Sequence, residues 1–269
     1  MKQGSTFVIG DIHGNMKALD QVLSRSKFDC NIDRLITIGD YSDGYPDTVD
    51  VVETLIDLQS KCNNENIYLL GNHDEWTLEL LTNHADLLLR EDATTISYRW
   101  SHAWNQGGRN TYLSYVHKKP NLDKHIEFFS KLKLYHIDGN IALVHGGWDL
   151  NLDNSYPGIM GSAQMNPKEL IWDREVWKRA IHLQHLIDKG YPVREDTKKL
   201  GGYELVYIGH TATSYDFPNQ YPVKCCNVIN IDSGAGSPGG RLLMLDITNN
   251  IPYISDLSEE LYTNFIPRS

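Results

Sequence analysis

The chain has 269 residues, 41% of them hydrophobic and 22% charged, enough to bury a sizeable core as one globular domain. Its formal net charge of −10, with no basic stripe, argues against nucleic acid as a partner. No apolar run approaches the ~18 residues that cross a bilayer and no charged-then-apolar leader precedes Phe7, so the expectation is a cytoplasmic protein off the membrane.

Taken in chain order, the first eighty residues alternate strand and helix. Thr6–Ile9 reads as a buried strand, and Met16–Ser26 as a helix with Met16, Leu19, Val22 and Leu23 on one face. Leu35–Ile38 is a second strand. Asp47–Leu58 is again helical, with Pro46 at its start, and Ile67–Leu70 is a third strand. This alternation predicts parallel strands joined by helical crossovers, an α/β fold. From Glu75 to about Leu134 the text becomes helical and aromatic, which suggests a cap inserted at about 75–134 into a single domain spanning 1–269. Strand-like runs return at Ile141–Val144, Leu205–Ile208, Val228–Ile231 and Leu242–Ile247, with a helical stretch at Pro167–Ile187. Cys30, Cys62, Cys225 and Cys226 show no framework spacing and read as reduced thiols.

Five of these strands end in a polar cluster beside glycine: Gly10-Asp11, Gly39-Asp40, Gly71-Asn72, His145-Gly146 and Gly209-His210. In α/β sheets ligands gather at the carboxyl ends of strands. Any one cluster could be a turn. Five converging clusters of Asp, Asn and His must be paired or metal-bound when buried. Asp11 and His13 stand two apart in an extended segment and so share a face. A mixed oxygen and imidazole set suits a pair of divalent cations sharing a carboxylate.

As a set, Gly10-Asp11-Ile12-His13-Gly14, Gly39-Asp40-Tyr41-Ser42-Asp43, Gly71-Asn72-His73-Asp74, Val144-His145-Gly146-Gly147 and Gly209-His210-Thr211 resemble the signature blocks of calcineurin-like metallophosphoesterases. The match is closest to the serine/threonine phosphoprotein-phosphatase branch and its bacterial members. The resemblance implies a four-layer α/β/β/α sandwich, where periodicity alone gives only α/β. It further implies that Asp11 and His13 bind one ion, that Asp40 bridges, and that Asn72, His145 and His210 complete the second. His73 would be the general acid, oriented by Asp43, and a metal-bridging hydroxide would attack in line. The ions implied are two divalent metals, Mn²⁺ first, with Fe or Zn²⁺ as alternatives.

Two departures matter. The branch normally carries Asp-Arg-Gly after the bridging block, whereas this chain reads Asp43-Gly44-Tyr45, so a phosphate-clamping guanidinium is missing. Ile171-Trp172-Asp173-Arg174-Glu175 resembles a bacterial segment whose Arg contacts phosphate, which makes Arg174 the substitute clamp and Arg109 a second candidate. His102, His117, His125, His136, His182 and His185 have no counterpart in the family and read as solvated or packed side chains. The expected partner is a phosphorylated substrate, first a phosphomonoester such as phosphoserine or phosphothreonine in a protein. A dinucleoside polyphosphate is the rival substrate, and a non-catalytic scaffold the rival class.

Overall fold

The computed structural model describes residues 4–148, 167–263 and 265. In chain order the strands among the described residues are β1 (Thr6–Ile9), β2 (Arg34–Thr37), β3 (Ile67–Tyr68), β4 (Tyr135–Asp138), β5 (Ile141–Val144), β6 (Leu205–Ile208), β7 (Val223–Cys225), β8 (Val228–Asn230), β9 (Leu243–Asp246) and β10 (Ile251–Ile254). They form two five-stranded sheets, ordered β10-β9-β1-β2-β3 and β4-β5-β6-β8-β7. The centre of each is parallel, with Val8 beside Ile36 in one and Val206 beside Val228 in the other. Strands β9, β10, β4 and β7 join antiparallel, so the sheets are mixed rather than purely parallel.

The helices are α1 (Met16–Ser26), α2 (Thr48–Lys61), α3 (Asn72–Asn83), α4 (Ala85–Leu89), α5 (Ala93–Arg99), α6 (Ser101–Ala103), α7 (Arg109–Lys118), α8 (Leu122–Ser130), α9 (Pro167–Trp172), α10 (Glu175–Asp188) and α11 (Ser258–Leu261). Helix α1 starts where Asn15 accepts a hydrogen bond from the Ala18 amide and stops at Lys27, which turns left-handed at φ 55°. None of the helices is long and apolar enough to cross a membrane, among the described residues.

Strand alternation sorts the apolar residues into three cores. Val8, Ile36, Ile38, Leu143, Ile229 and Leu245 point between the sheets and glue them together. Phe7, Ile9 and Leu35 point the other way, against α1, α2 and the helices of the 75–134 stretch. Ala142, Val144, Val206 and Ile208 face α9 and α10. Helix, sheet, sheet, helix is therefore the layer order. Ile36 is fully buried between the sheets, so its truncation to Ala costs about 2–5 kcal/mol.

The structure corrects one expectation. Cys30 and Cys62 form a disulfide, leaving Cys225 and Cys226 as the free cysteines. The pair is separated by 32 residues, which leaves no spacing signature in the sequence. The turn after α1 meets the end of α2 in space, where the Asn63 amide donates to the Cys30 carbonyl at 2.9 Å.

Candidate metal centre

The residues at the five strand ends meet at the carboxyl edges of both sheets. Sheet one delivers Asp11, Asp40 and Asn72 from β1, β2 and β3, and sheet two delivers His145 and His210 from β5 and β6. Two loops are zipped together to hold them. The Ile12 and His13 amides donate to the Asp40 carbonyl at 2.9 and 2.8 Å, and the Tyr45 amide donates to the His13 carbonyl at 2.8 Å. His13, Asp40, Asp43 and His210 all adopt positive φ, between 52° and 63°. Each such non-glycine residue costs on the order of 1–3 kcal/mol, and their clustering marks a site where geometry outranks backbone ease. Glycine keeps the carboxylates close: a Cβ on Gly71 would lie 2.1 Å from Asp40 Oδ1, and one on Gly209 would lie 2.2 Å from Asp11 Oδ1.

At the centre, Asp40 Oδ2 lies 3.6 Å from His13 Nε2 and 3.4 Å from His145 Nε2. The ligating atoms of His13, Asp40 and His73 all fall within 4.8 Å of one another, and so do those of Asp40, His145 and His210. Asn72 Oδ1 is 3.1 Å from His145 Nε2. Asp11 accepts the His210 amide on Oδ2 at 3.0 Å, while its buried Oδ1 has no protein partner. All six side chains are buried.

The imidazoles are pre-aimed. His13 Nδ1 meets the Ser42 carbonyl at 2.9 Å, His145 Nδ1 the Ile38 carbonyl at 2.8 Å, and His210 Nε2 the Trp172 carbonyl at 3.2 Å. A ring nitrogen facing a carbonyl must carry a proton, so in each ring the other nitrogen is turned inward as the donor atom, a habit of metal-binding histidines. With the orphaned Asp11 oxygen, this donor set fits two divalent cations.

Electrostatics point the same way. Burial and the neighbouring Asp232 and Asp40 charges push the Asp11 carboxyl well above the usual range, although His145 pulls it down. Burial would raise Asp40 as well, but the charges of His145, His73 and His13 hold it well below. Burial lowers the His145 imidazole, yet Asp40 and Asp11 outweigh it and hold it up to about 10. Burial, together with the His145 and Arg174 charges, pushes His210 down to about 2. Without ions, then, a proton on His145 holds together groups that repel one another. Cations would replace that proton.

Beside the cage, His73 Nδ1 meets Asp43 Oδ2 at 3.0 Å, and Thr111 donates to Asp43 Oδ1 at 2.7 Å. Arg174 reaches the same pocket from the break between α9 and α10. Its guanidinium donates to the His210 carbonyl at 2.8 Å and to the Thr211 hydroxyl at 2.7 Å, and it makes no ion pair with Glu175, which binds Lys178. Arg109 is exposed at the start of α7, and from its segment Gln106 lines the pocket instead. His102, His125 and His136 pair with Glu79, with Glu53 and Tyr115, and with Arg34, while His117, His182 and His185 are exposed.

Several neighbours escaped the sequence reading. Asp74 is fully buried and accepts the Asp40, Tyr41 and Gly71 amides at 2.8, 2.8 and 2.9 Å, tying two ligand loops to α3. It was visible only as the last residue of the Asn72 block. Asp232 and Trp76 also line the pocket, and nothing in their local sequence sets them apart from core residues, while Trp172 lines it from the segment that carries Arg174.

A family model described as calcineurin-like phosphoesterase matches residues 5–214. A symmetrical bis(5'-nucleosyl)-tetraphosphatase of Nitrosospira multiformis is 28% identical over 141 residues, 52% of this chain but only 42% of that protein. The asymmetrical bis(5'-nucleosyl)-tetraphosphatase PrpE of Anoxybacillus flavithermus is 23% identical, covering 93% of this chain and 96% of its own length. The solved structure of a cold-active protein-tyrosine phosphatase from a psychrophilic Shewanella is 15% identical and superposes with a TM-score of 0.52, covering 95% of this chain and 81% of that one, a likeness of fold. With that model spanning all five polar strand ends, the chain belongs to the calcineurin-like phosphoesterase family.

Proposed function

We propose that this chain hydrolyses phosphoric esters at a two-cation centre, with Asp11 and His13 on one ion, Asn72, His145 and His210 on the other, and Asp40 shared. The observation that carries this reading is Asp40 Oδ2, set between His13 and His145 at 3.6 and 3.4 Å in a buried cage that also holds the unpartnered Asp11 Oδ1. Divalent ions, Mn²⁺ first with Fe or Zn²⁺ as alternatives, would supply an acidified water and charge for the phosphoryl oxygens. Arg174, braced on His210 and Thr211, orients the phosphate. His73, pinned through Nδ1 by Asp43, offers Nε2 to protonate the leaving oxygen.

The leading substrate is a phosphomonoester, of the kind a serine or threonine phosphoprotein phosphatase cleaves. A second reading, a dinucleoside polyphosphate, is favoured by the tryptophans beside His73 and by the names of the curated relatives. Turnover of p-nitrophenyl phosphate by pure protein with added Mn²⁺ is the expected result. No turnover with any divalent ion, in a folded protein, refutes the proposal. Rates on a phosphopeptide against diadenosine tetraphosphate separate the two substrates.

A further inference from the structure

One side of the pocket is polar, formed by the cage and Arg174. The opposite side is aromatic. Trp76, on the first turns of α3, packs edge-on against His73 with ring centroids 4.6 Å apart, and Trp172, at the end of α9, lies 5.4 Å from Trp76 at an angle of 55°. Trp172 is 39% exposed, unusual for so large an apolar ring beside a buried cage. The two rings touch each other, so nothing slides between them. Among the described residues they make a corner in which the Trp172 ring, also edge-on to His210 at 5.9 Å, stays partly exposed.

Gln106 lines the same pocket, and the way it arrives there is built into the backbone. Trp104–Gly108 is a kink between two helices in which Gln106 and Gly107 leave the helical conformation, and Gly107, at φ 101°, rests on Gly44: a Cβ on Gly107 would lie 2.6 Å from the Gly44 amide nitrogen. Gly44 in turn has no room for a side chain, because its own Cβ would meet the His13 carbonyl at 2.8 Å. The glycine after Asp43 and the kink are thus packed together, and the kink brings the neutral Gln106 side chain to the pocket.

Position gives the corner its role. His73 protonates the leaving oxygen in the proposed reaction, so the ring packed on His73 touches the leaving group and not the phosphoryl group. We infer that Trp76, Trp172 and Gln106 form a subsite for a planar aromatic ring on the leaving group, which stacks on the exposed part of the Trp172 ring and turns any polar edge to the Gln106 amide. This inference rests on the phosphoesterase reading for the direction of the leaving group. A flat ring is what such a surface stacks, and either a nucleobase or a phenol ring supplies one, though only the nucleobase keeps polar edge atoms free for Gln106, because the phenol oxygen is the scissile one.

The test compares Trp172→Leu, Trp76→Leu and Gln106→Ala with the wild type on four substrates: adenosine 5'-monophosphate and phosphotyrosine, which carry a ring, and phosphoserine and glycerol 3-phosphate, which do not. The backbone carbonyl of residue 172 still faces His210 in the leucine variant, and metal content measured in each variant confirms an intact cage. Trp172→Leu should lower kcat/KM for a ring-bearing substrate at least tenfold more than for the ringless pair, mainly through KM. Loss confined to adenosine monophosphate identifies a base, and loss confined to phosphotyrosine identifies a phenol; either supports the subsite. Equal losses on all four substrates, or none, overturn it. Should the wild type turn over none of them, the phosphomonoester reading fails, and calorimetric titration still decides the inference. Adenosine monophosphate must then bind more tightly than phosphoserine in the wild type and lose that advantage in Trp172→Leu; equal affinities overturn it.

Discussion

His73 and Asp40 sit a few ångströms apart and can be removed one at a time. His73 is not needed to hold ions if its Nδ1 belongs to Asp43, so His73→Asn should keep full metal content. The variant should slow an alkyl phosphate by about 10²–10⁴-fold and an activated aryl phosphate far less, because a good leaving group needs no proton. Equal slowing of both would remove the acid role. Asp40→Asn should lose both ions together by elemental analysis, since one oxygen of Asp40 faces both imidazoles. A normal metal count in that variant contradicts the bridge. His145 adds a pH dependence whose sign follows from its proton. Held up to about 10 in the ion-free cage, it is protonated through the neutral range, and a cation must displace that proton. Metal affinity should therefore rise with pH between 6 and 8, by up to about tenfold per unit for each proton released, and calorimetry in buffers of different ionisation enthalpy should detect the release. Affinity independent of pH would mean that His145 meets the ion already neutral.

Elements differ in how plainly they were written in the sequence. Strands β1, β5 and β6 announce themselves as four-residue apolar runs because both faces are covered, one by the other sheet and one by helices. Strands β4, β7 and β10 escaped notice, and all three are sheet edges. An edge strand is half wet: Ile251 and Pro252 of β10 are exposed, as are Tyr135 and Asp138 of β4. No apolar run marks such a segment, and antiparallel pairing supplies what the side chains do not. The Pro167–Ile187 stretch reads as one helix, yet it breaks at Asp173, whose carboxylate caps the new start by accepting the Glu175 amide at 2.9 Å. That break is what swings Arg174 toward the pocket. Asp74 carries a prediction at this scale. With Asp74→Ala, three buried amides lose their acceptor, and at about 1–3 kcal/mol for each unsatisfied group the protein should lose several kcal/mol in a denaturant titration. A loss below about 1 kcal/mol would show that water or a neighbour replaces the carboxylate.

For the molecule as a whole, the ligand set straddles the seam between two sheets that otherwise meet through apolar side chains. Ions bound there link the halves. Metal at a hundred times its dissociation constant adds about 2.7 kcal/mol to the folded state, which for a chain of this size is roughly a 5–10 °C rise in Tm. Calorimetric melting with EDTA and with Mn²⁺ measures it, and an unchanged Tm would mean that the folded chain does not bind the ions in preference to the unfolded one. The same straddling explains what could be read beforehand. The candidate ligands were legible because each lies just past a strand and next to a glycine, a purely local pattern. The aromatic corner, the Asp74 tie and the Cys30–Cys62 bond depend on which distant segments touch, and no local pattern encodes that.

The kink that leans on Gly44 has one more effect. Just beyond it, the Asn110 amide donates to the Gly44 carbonyl at 2.6 Å, and Thr111 grips the carboxylate that steadies His73. Residues 106–111 therefore line the pocket through Gln106 and brace the Asp43–His73 pair in a single stretch of backbone. If His73 is the proton donor, selectivity and its support are mechanically coupled: a lineage that reshaped this stretch to admit another substrate would shift the donor's placement in the same step.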